Sequence, residues 1–358
     1  MYWLPAILIL PYFFLLFKFY RSLLKIEAFY ASTDPVTFVS IIVACHNEQK
    51  SLPFLLNSIA QQNYPEDLFE VIIVDDKSTD KTFEIAEGLD GIGNILTIYN
   101  NGKGKKQALR TGITAAKGKL IITTDADCIM GKNWIRIVAS FYELKKPDMI
   151  ICPVQLESVP GFFGKFRELE FMSLQGITAG TAVCGKPTMC NGANLAFTRE
   201  VYLSNSHNLH DEINSGDDVF LLHSLKRGTH AKILWLESSD ALVTTQSPVT
   251  LKSFLKQRSR WISKGKAYED NDTILLGVVT FFTIVLQILF LIAAIIYPDL
   301  IMVFLAIFFL KSFPDFLILI NTAGRYNRRN LLWWFLPGQF LYPFYVLSVI
   351  VCSLIFRG

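Results

Sequence analysis

Two kinds of apolar run occur in this chain: short β-branched runs in its first half and long runs with few or no charges at its two ends. The short runs lie at residues 40–45, 71–75 and 119–125, each ends in a polar turn, and a helical stretch separates the first two. This rhythm is typical of a parallel α/β sheet, whose ligands bind beyond the carboxyl ends of the strands. We therefore predict a parallel-sheet domain over residues 37–247.

The long runs predict membrane-spanning helices at residues 1–25, 274–297, 300–320 and 331–356. The second has no charged residue and would be ~36 Å long as a helix, which exceeds the ~30 Å hydrocarbon core of a bilayer. The first is short, and it spans only if Lys18 and Arg21 reach the interface. The fourth contains Pro337 and Pro343, which predict a kink.

Basic residues around these runs predict the topology. Lys18, Arg21 and Lys25 follow the first apolar run, whereas the basic residues of a cleaved signal peptide would precede it. Lysine and arginine also crowd residues 252–266 and 325–329, while the Pro298-Asp299 turn has none. By the positive-inside rule we expect an integral protein of the cell (inner) membrane with the sheet domain in the cytoplasm.

Lys311 and Asp315 are unexpected within a membrane span. They are four residues apart, so on one helix they share a face and can form a pair. A charge in the bilayer is costly and normally faces a helix bundle or a polar cavity. Two alternatives stay open: the pair faces the other helices, or Pro314 breaks the segment and moves both charges to the interface.

Helical spacing predicts two amphipathic helices. Residues 161–172 place Phe162, Phe163, Phe166 and Leu169 on one side, which fits an interfacial helix or a buried core helix equally. Residues 248–270 form the other, an interfacial helix on which steps of 100° separate two faces. The polar face contains Gln257, Arg260, Trp261 and Lys264, and the packing face contains Leu251, Phe254, Leu255 and Ile262.

Composition narrows the class of protein. Charged residues make up 18% of the chain, against ~25% in soluble domains, which agrees with a part in lipid. The net charge of +3 comes without a long basic array, so we expect no nucleic-acid partner. The six cysteines lack metal-site spacing and predict reduced, mostly buried thiols. His46 follows a strand, where a structural role is favoured over contact with a nucleotide.

Asp125 and Asp127 are the first candidate for chemistry. They end an apolar strand at positions i and i+2, so both carboxylates point to one face. Hard oxygen ligands so placed suit Mg²⁺ or Mn²⁺ bound to a diphosphate, whose growing charge a metal can neutralise when the diphosphate leaves. An isolated Asp-x-Asp is weak support, because turns are rich in solvated aspartates.

Asp217 and Asp218 are the second candidate. The segment from Asn214 to Asp218 also fits a helix N-cap, and both interpretations can hold. The helix dipole stabilises a carboxylate at this position, whereas the neighbouring like charge raises the pKa of one member of the pair. A base must also lie within hydrogen-bonding reach of the proton it removes.

Several motifs follow one another in a fixed order: SIIVACHNE, VIIVDDKSTDKT, GKKQALRTGITAAKGKLIITTDAD, NGANLAFTRE, SGDD and QRSRW. With them, the region from about Val39 to Trp261 resembles the family 2 glycosyltransferases with a GT-A fold. The QxxRW element resembles that of cellulose, chitin and hyaluronan synthases, and ceramide glucosyltransferases have a similar motif. The resemblance implies an enzyme that moves a sugar from a nucleotide sugar.

The resemblance also implies roles for single residues on the donor side. Asp75 and Asp76 would hold the base and ribose of the nucleotide, and Lys105 would approach the diphosphate. Asp127, helped by Asp125, would carry the Mg²⁺ or Mn²⁺ ion.

On the acceptor side, Asp218 would be the base that deprotonates the acceptor hydroxyl, with Asp217 as its neighbour. Gln257 and Arg260 would frame the diphosphate, and the planar fork of an arginine suits phosphate. Acceptor-binding residues would be Trp261, Gly192 and Asn194, and a tryptophan suits a sugar because the apolar face of a pyranose stacks on its ring.

These observations favour a membrane-embedded inverting glycosyltransferase that uses a nucleotide sugar, most simply a UDP-linked one. Three hypotheses stay open for its biological role. The first is synthesis of a polysaccharide or lipid-linked glycan, and the second is a single addition to a membrane lipid such as a ceramide or diacylglycerol. The third is a catalytically silent nucleotide-sugar-binding assembly subunit. The sequence predicts neither the donor sugar nor the oligomeric state.

Overall fold

The computed structural model describes residues 7–88, 94–210, 212–213, 215–228 and 231–355. The chain divides into two compact units. The sheet unit consists of Glu27–Glu157 and Met189–Gln246, and the helical unit consists of Met1–Ile26, Ser158–Thr188 and Ser247–Gly358. Residues 1–6 and 356 of the predicted spans, and Asn214 of the predicted N-cap, lie outside the described residues.

All strands of the described residues belong to the sheet unit. They are β1 Val39–Cys45, β2 Phe69–Asp75, β3 Ile95–Tyr99, β4 Leu120–Asp125, β5 Ile129–Met130, β6 Met149–Ile151, β7 Val154–Leu156, β8 Leu195–Thr198, β9 Ile233–Trp235 and β10 Val243–Thr245. A seven-stranded sheet has the order β3-β2-β1-β4-β8-β6-β9, and a small sheet has the order β5-β10-β7.

The predicted parallel α/β sheet is confirmed. Strands β3, β2, β1 and β4 are parallel neighbours, and their apolar side chains form the core of the sheet unit, with Ile41, Ile72 and Ile122 fully buried. Such strands are covered on both faces, which explains why they occur as continuous apolar runs rather than alternating ones. The sheet is mixed, since β8 pairs antiparallel with β4 and β6, an arrangement that the sequence did not predict.

Helices alternate with the strands from β1 to β4, less regularly in the rest of the sheet unit, and dominate the helical unit. They are α1 Leu10–Leu23, α2 Leu52–Ala60, α3 Thr82–Glu87, α4 Lys105–Ala115, α5 Trp134–Lys145, α6 Phe162–Val183, α7 Arg199–Asn205, α8 Asp217–Gly228, α9 Leu251–Ser263, α10 Asn271–Ile296, α11 Ile301–Arg325 and α12 Phe335–Ile355. Short 3₁₀ turns lie at Glu66–Leu68, Gly192–Asn194, Ser206–Asn208, Ser239–Ala241, Lys264–Ala267, Pro298–Leu300 and Arg329–Trp334.

Three segments of the described chain are long and apolar enough to cross a membrane: Asn271–Ile296, Pro298–Arg325 and Arg329–Ile355. They correspond to the three predicted spans near the carboxyl end. The span predicted at residues 1–25 stays a prediction, because the described helix α1 has only 14 residues. Helix α1 packs against α6 and α11, with Leu16 and Leu23 buried.

Ser158–Thr188 lies in the helical unit, although the sequence placed it within a continuous domain at residues 37–247. Its helix α6 is long and largely buried, and Leu169 and Met172 join Leu319 in an apolar cluster of that unit. Of the two alternatives for residues 161–172, the structure therefore favours the buried helix.

The packing face predicted for α9 is wrong in part. Phe254 is fully buried as expected, but Leu251 and Ile262 are exposed, whereas Lys264 is buried. The buried face instead includes Arg258, whose guanidinium forms two hydrogen bonds to the Glu170 carboxylate, at 3.0 and 2.6 Å. Because of this ion pair the charged Arg258 is buried, and the spacing of apolar residues did not predict its burial.

Lys311 and Asp315 form a buried ion pair within α11, which continues through Pro314. The Lys311 ammonium lies 2.8 Å from an Asp315 oxygen and donates to the Gln339 side chain at 2.6 Å. The Tyr12 hydroxyl donates to the other Asp315 oxygen at 2.7 Å. Pro314 thus does not break the segment, and the pair faces the other helices.

We expect Lys311→Leu to destabilise the helical unit by about 3 kcal/mol or more, because it leaves the Asp315 carboxylate without its cation. Adding Asp315→Leu should restore much of the stability. The apparent melting temperature in detergent measures both effects, with the exposed Lys252→Leu as a control. A Lys311→Leu variant that melts with the wild-type protein would contradict the role of this pair.

Candidate functional site

The parallel register places two of the predicted site residues at one edge of the sheet. Cys45 of β1 pairs with Asp75 of β2, and Ala44 pairs with Asp125 of β4. Since β1 lies between the two other strands, the backbones of Asp75 and Asp125 are roughly 10 Å apart at this edge. A ligand at the carboxyl ends of the strands can therefore meet both.

Asp75 is buried, and its two oxygens have different surroundings. One accepts the Ser78 N–H at 3.1 Å, whereas the other, Oδ1, has no hydrogen-bond partner within the described chain. Leaving a buried acceptor unpaired costs free energy. An N–H or O–H donor supplied by a ligand would satisfy this oxygen, which suits the predicted contact with a nucleotide.

Asp76 has a task that the sequence did not predict. Its oxygens accept the Asn100 side-chain amide at 2.6 Å and the Gly104 N–H at 2.8 Å. Gly104 has a φ of +86°, a conformation that favours glycine, and it directly precedes α4. Asp76 therefore holds the loop from which Lys105 extends, and a ribose contact would have to use its remaining lone pairs.

Lys105 is the cation at which the carboxylates of the site meet. Its ammonium forms an ion pair with the Asp125 carboxylate, and 42% of its side chain is exposed. Partial burial opposes the charged form, but the charges of Asp125, Asp217 and Asp218 outweigh it and raise the pKa of Lys105. The structure thus brings together candidates that are up to 113 residues apart in the sequence.

Asp127 lies beside this cation on the turn after β4. One of its oxygens accepts the Thr245 hydroxyl of β10 at 3.2 Å. Burial, and then the charge of Asp125, raise the pKa of Asp127. Thr245 was missed by the sequence analysis, because nothing local links it to a turn 118 residues earlier.

The Asp125 and Asp127 carboxylates fit a divalent metal of one particular class. No cluster of three or more histidine, cysteine or acidic residues arranged to hold a metal occurs within the described chain. Mg²⁺, however, is usually bound by one or two carboxylates together with substrate phosphates and water. The repulsion that Asp125 exerts on Asp127 is what a bound cation would relieve, so the pair suits such an ion.

Asp217 and Asp218 form the first turn of α8, as the N-cap interpretation predicted. The Asp218 oxygens accept the N–H groups of Val219 at 2.8 Å and Gly192 at 2.9 Å. These two donors fix the orientation of the Asp218 carboxylate. Gly192 in turn accepts the Thr123 hydroxyl of β4 at 2.9 Å, so the turn at Gly192 joins the sheet to Asp218.

Asn194 was predicted to contact an acceptor, and the structure corrects this prediction. Its side chain is fully buried and accepts the Trp134 indole N–H at 3.0 Å. Its amide donates to the carbonyls of Pro153 and Ala241 at 2.8 and 2.7 Å. Asn194 thus joins segments of the sheet unit, and the motif that contains it is partly structural.

His46 and the six cysteines were the remaining residues singled out in the sequence. His46 is exposed at the end of β1 and lies 2.8 Å, through Nδ1, from the Asp76 carbonyl. The preference for a structural role over contact with a nucleotide stays a prediction. All six cysteines are free, and Cys45, Cys128 and Cys152 are buried, as predicted.

Gln257, Arg260 and Trp261 lie on α9 in the helical unit. The Gln257 carbonyl oxygen accepts the Arg258 guanidinium at 2.6 Å, and the same guanidinium lies 4.1 Å from the centre of the Trp261 ring. Arg260 is exposed. Arg258 thus orders two of the predicted residues, and its pairing with Glu170, 88 residues away, could not be foreseen from spacing.

Comparison with known proteins finds a family similar to part of this chain. Residues 40–204 match the family described as Glycosyl transferase family 2. The match agrees with the resemblance carried by the motifs.

Two curated relatives extend the comparison. The probable glycosyltransferase YdaM of Bacillus subtilis is 26% identical over 249 residues, which cover 64% of this chain and 55% of YdaM. The poly-β-1,6-N-acetyl-D-glucosamine synthase of Staphylococcus aureus is 24% identical over 238 residues, covering 65% of this chain and 56% of the synthase. The chain thus spans little more than half the length of either relative.

A solved structure supports the fold. The mannosyltransferase PcManGT of Pyrobaculum calidifontis, in complex with GDP-Man and Mn²⁺, matches over 100% of both chains with a TM-score of 0.60 and 17% identity. At this identity the match shows the fold, and the predicted GT-A-like architecture is confirmed.

We expect Asp127→Asn to lower the affinity for Mn²⁺, measured in the presence of UDP, by ~10-fold or more while leaving the fold intact. The amide keeps the volume of the carboxylate and can still accept from Thr245, but it lacks the negative charge. Titration followed by the electron paramagnetic resonance of free Mn²⁺ measures the affinity, with the exposed Asp67→Asn as a control. Unchanged affinity would show that Asp127 is not a metal ligand.

Proposed function

We propose that this protein transfers a sugar from a nucleotide sugar to an acceptor hydroxyl, with inversion at the anomeric carbon. The observation that carries the proposal is that strand β4 supports both groups of carboxylates: Asp125 at its end pairs with Lys105, and Thr123 bonds Gly192, whose N–H is accepted by Asp218. One group of residues suits a diphosphate and its cation, and the other suits proton removal from an acceptor.

On the donor side, Asp125 and Asp127 would hold Mg²⁺ or Mn²⁺, which when bound supplies charge neutralisation for the departing diphosphate. The Lys105 ammonium can exchange its contact with Asp125 for a phosphate oxygen and add to that neutralisation. The unpaired Asp75 oxygen would accept an N–H or O–H of the nucleotide. A uridine diphosphate donor is proposed on the strength of the family resemblance.

On the acceptor side, Asp218 would remove the proton of the attacking hydroxyl. Its two N–H partners fix the carboxylate before an acceptor arrives, and this removes the entropy cost of orienting it at the moment of reaction. Attack from the side opposite the diphosphate then inverts the anomeric carbon. Roles of Gln257 and Arg260 toward the diphosphate, and of Trp261 and Gly192 toward the acceptor, stay proposals.

The acceptor is proposed to be a polysaccharide or a lipid-linked glycan at the membrane. The similarity to a protein named as a poly-β-1,6-N-acetyl-D-glucosamine synthase supports a glycan acceptor. The three long apolar helices of the helical unit support a membrane location. A single addition to a membrane lipid is the alternative, and the length of the product separates the two.

The function is tested with the full chain purified in lipid, supplied with UDP- and GDP-linked sugars, Mn²⁺ and a lipid extract as the source of acceptors. Release of one nucleotide, together with a labelled product, is expected for a single donor type. No release from any donor would refute the proposal and favour a catalytically silent subunit.

We propose a cytoplasmic location for the sheet unit, and this location predicts a definite topology. Reporter fusions that end at Asn327 should report the cytoplasm and those that end at Asp299 the outside, as the distribution of lysine and arginine requires. An Asn327 fusion on the outside would show that one of the long helices does not cross the membrane.

We expect Asp218→Asn to lower turnover by ~10²-fold or more while nucleotide-sugar affinity is kept, since general-base catalysis is typically worth that factor. Asp217→Asn is the matched comparison, because the two side chains are adjacent on the same helical turn. Initial rates and UDP affinity are measured separately, so that an effect on the chemical step is distinguished from an effect on binding. A larger loss of turnover in Asp217→Asn would move the assignment of the base to that residue.

A further inference from the structure

Lys106 is a buried lysine next to the Lys105 cation, yet its partners lie elsewhere. Its side chain is 4% exposed. The ammonium donates to the main-chain carbonyls of Leu209, His210 and Ile213, at 2.6, 2.8 and 2.9 Å. Three such bonds match the three protons of an ammonium group, and a buried charge needs this degree of satisfaction.

These carbonyls belong to the segment that leads into Asp217 and Asp218. Gly216, with a φ of +91°, turns the chain from this segment into α8. The Lys106 ammonium also lies 5.1 Å from the centre of the Phe220 ring, on the first turns of the same helix. Lys106 thus contacts residues that precede Asp217 and Asp218 as well as Phe220 of the helix that begins with them.

Helix α4 therefore connects the two sides of the site. Before it, Gly104 donates to Asp76, and its first residue, Lys105, pairs with Asp125. Its second residue, Lys106, binds the segment before α8, and one turn later Arg110 donates to the Ser206 carbonyl at 2.9 Å. Helix α4 thus links α8 to β4, in addition to the link through Gly192.

Resting on the proposed function, we infer that Lys106 is a positioning residue, which sets the acceptor-side carboxylates Asp217 and Asp218 against the donor-side carboxylate Asp125. Its effect is exerted through its bonds to the carbonyls of Leu209, His210 and Ile213. A lysine suits this role because its three donors rotate independently toward converging carbonyls, whereas the planar fork of an arginine cannot reproduce them.

The test uses the full-length protein in lipid nanodiscs, with nucleotide release for turnover and Mn²⁺–UDP as the binding probe. Lys106→Met keeps the stem of the side chain and removes the donors, so kcat should fall by ~10²-fold, as for small displacements of catalytic groups. The KM for the nucleotide sugar and the Kd of Mn²⁺–UDP should stay within about twofold. The exposed Lys117→Met, two residues after the end of the same helix, is the charge-matched control and should behave as the wild type.

Hydrogen–deuterium exchange tests the same inference without turnover. In Lys106→Met, exchange should rise in peptides from residues 206–222 and stay unchanged in β1, β2 and β4. If Lys106→Met does not fold, Lys106→Gln and Lys106→Arg, which keep donors, should show the same pattern to a smaller degree.

Three results would overturn the inference: wild-type kcat in a folded variant, a loss that lies in KM or in the Kd of Mn²⁺–UDP, or unchanged exchange at residues 206–222. No nucleotide release by the wild-type protein would refute the proposed function, and exchange would then still show whether Lys106 holds this segment.

Discussion

The crowding of negative charge at one edge of the sheet is the constraint on which the site depends. Asp75, Asp125 and Asp127 lie there because parallel strands end together, and Asp217 and Asp218 lie close enough to act on the same lysine. Burial and then the like charge of Asp125 raise the pKa of Asp127. Lys105 offsets part of the repulsion between the carboxylates, and a divalent cation would offset more.

The same constraint explains why so much of the polar chemistry around the site serves to hold the backbone. Asp76 binds the loop before α4, Asn194 joins three segments of the sheet unit, and Lys106 binds the segment before α8. Charged groups act at a precise distance only if the chain that carries them cannot relax away from its neighbours. Buried, fully bonded polar residues provide that rigidity, because breaking their hydrogen bonds leaves unpaired groups behind.

In the helical unit the constraint is the cost of burying charge among apolar helices. Two close ion pairs reduce this cost: Arg258 with Glu170, and Lys311 with Asp315. A tyrosine hydroxyl donates a further hydrogen bond to each carboxylate, from Tyr345 to Glu170 and from Tyr12 to Asp315. A buried ion pair is weak support for stability as such, since its desolvation can exceed its attraction. Its geometry, however, allows few alternative registers of the helices, and this suits a unit that is otherwise bound by non-directional apolar contacts.

The sequence by itself determined those features of the fold that depend on residues close together along the chain. Continuous β-branched runs that end in aspartates predicted buried parallel strands with carboxylates at one edge, and long uncharged runs predicted the three apolar helices. The order of the motifs predicted a resemblance to family 2 glycosyltransferases, and residues 40–204 match the model of that family. All of these follow from local periodicity, because strand and helix each repeat over a few residues.

Only the tertiary structure decided which polar residues face a ligand and which hold the fold. Asn194 was expected at the acceptor and is buried, while Arg258 within QRSRW is an internal ion pair. The antiparallel β8 and the contacts of Lys106 were likewise invisible. The physical reason is that their side-chain partners lie between 41 and 107 residues away. For Lys106 these partners are main-chain carbonyls, which every residue possesses and no local pattern marks.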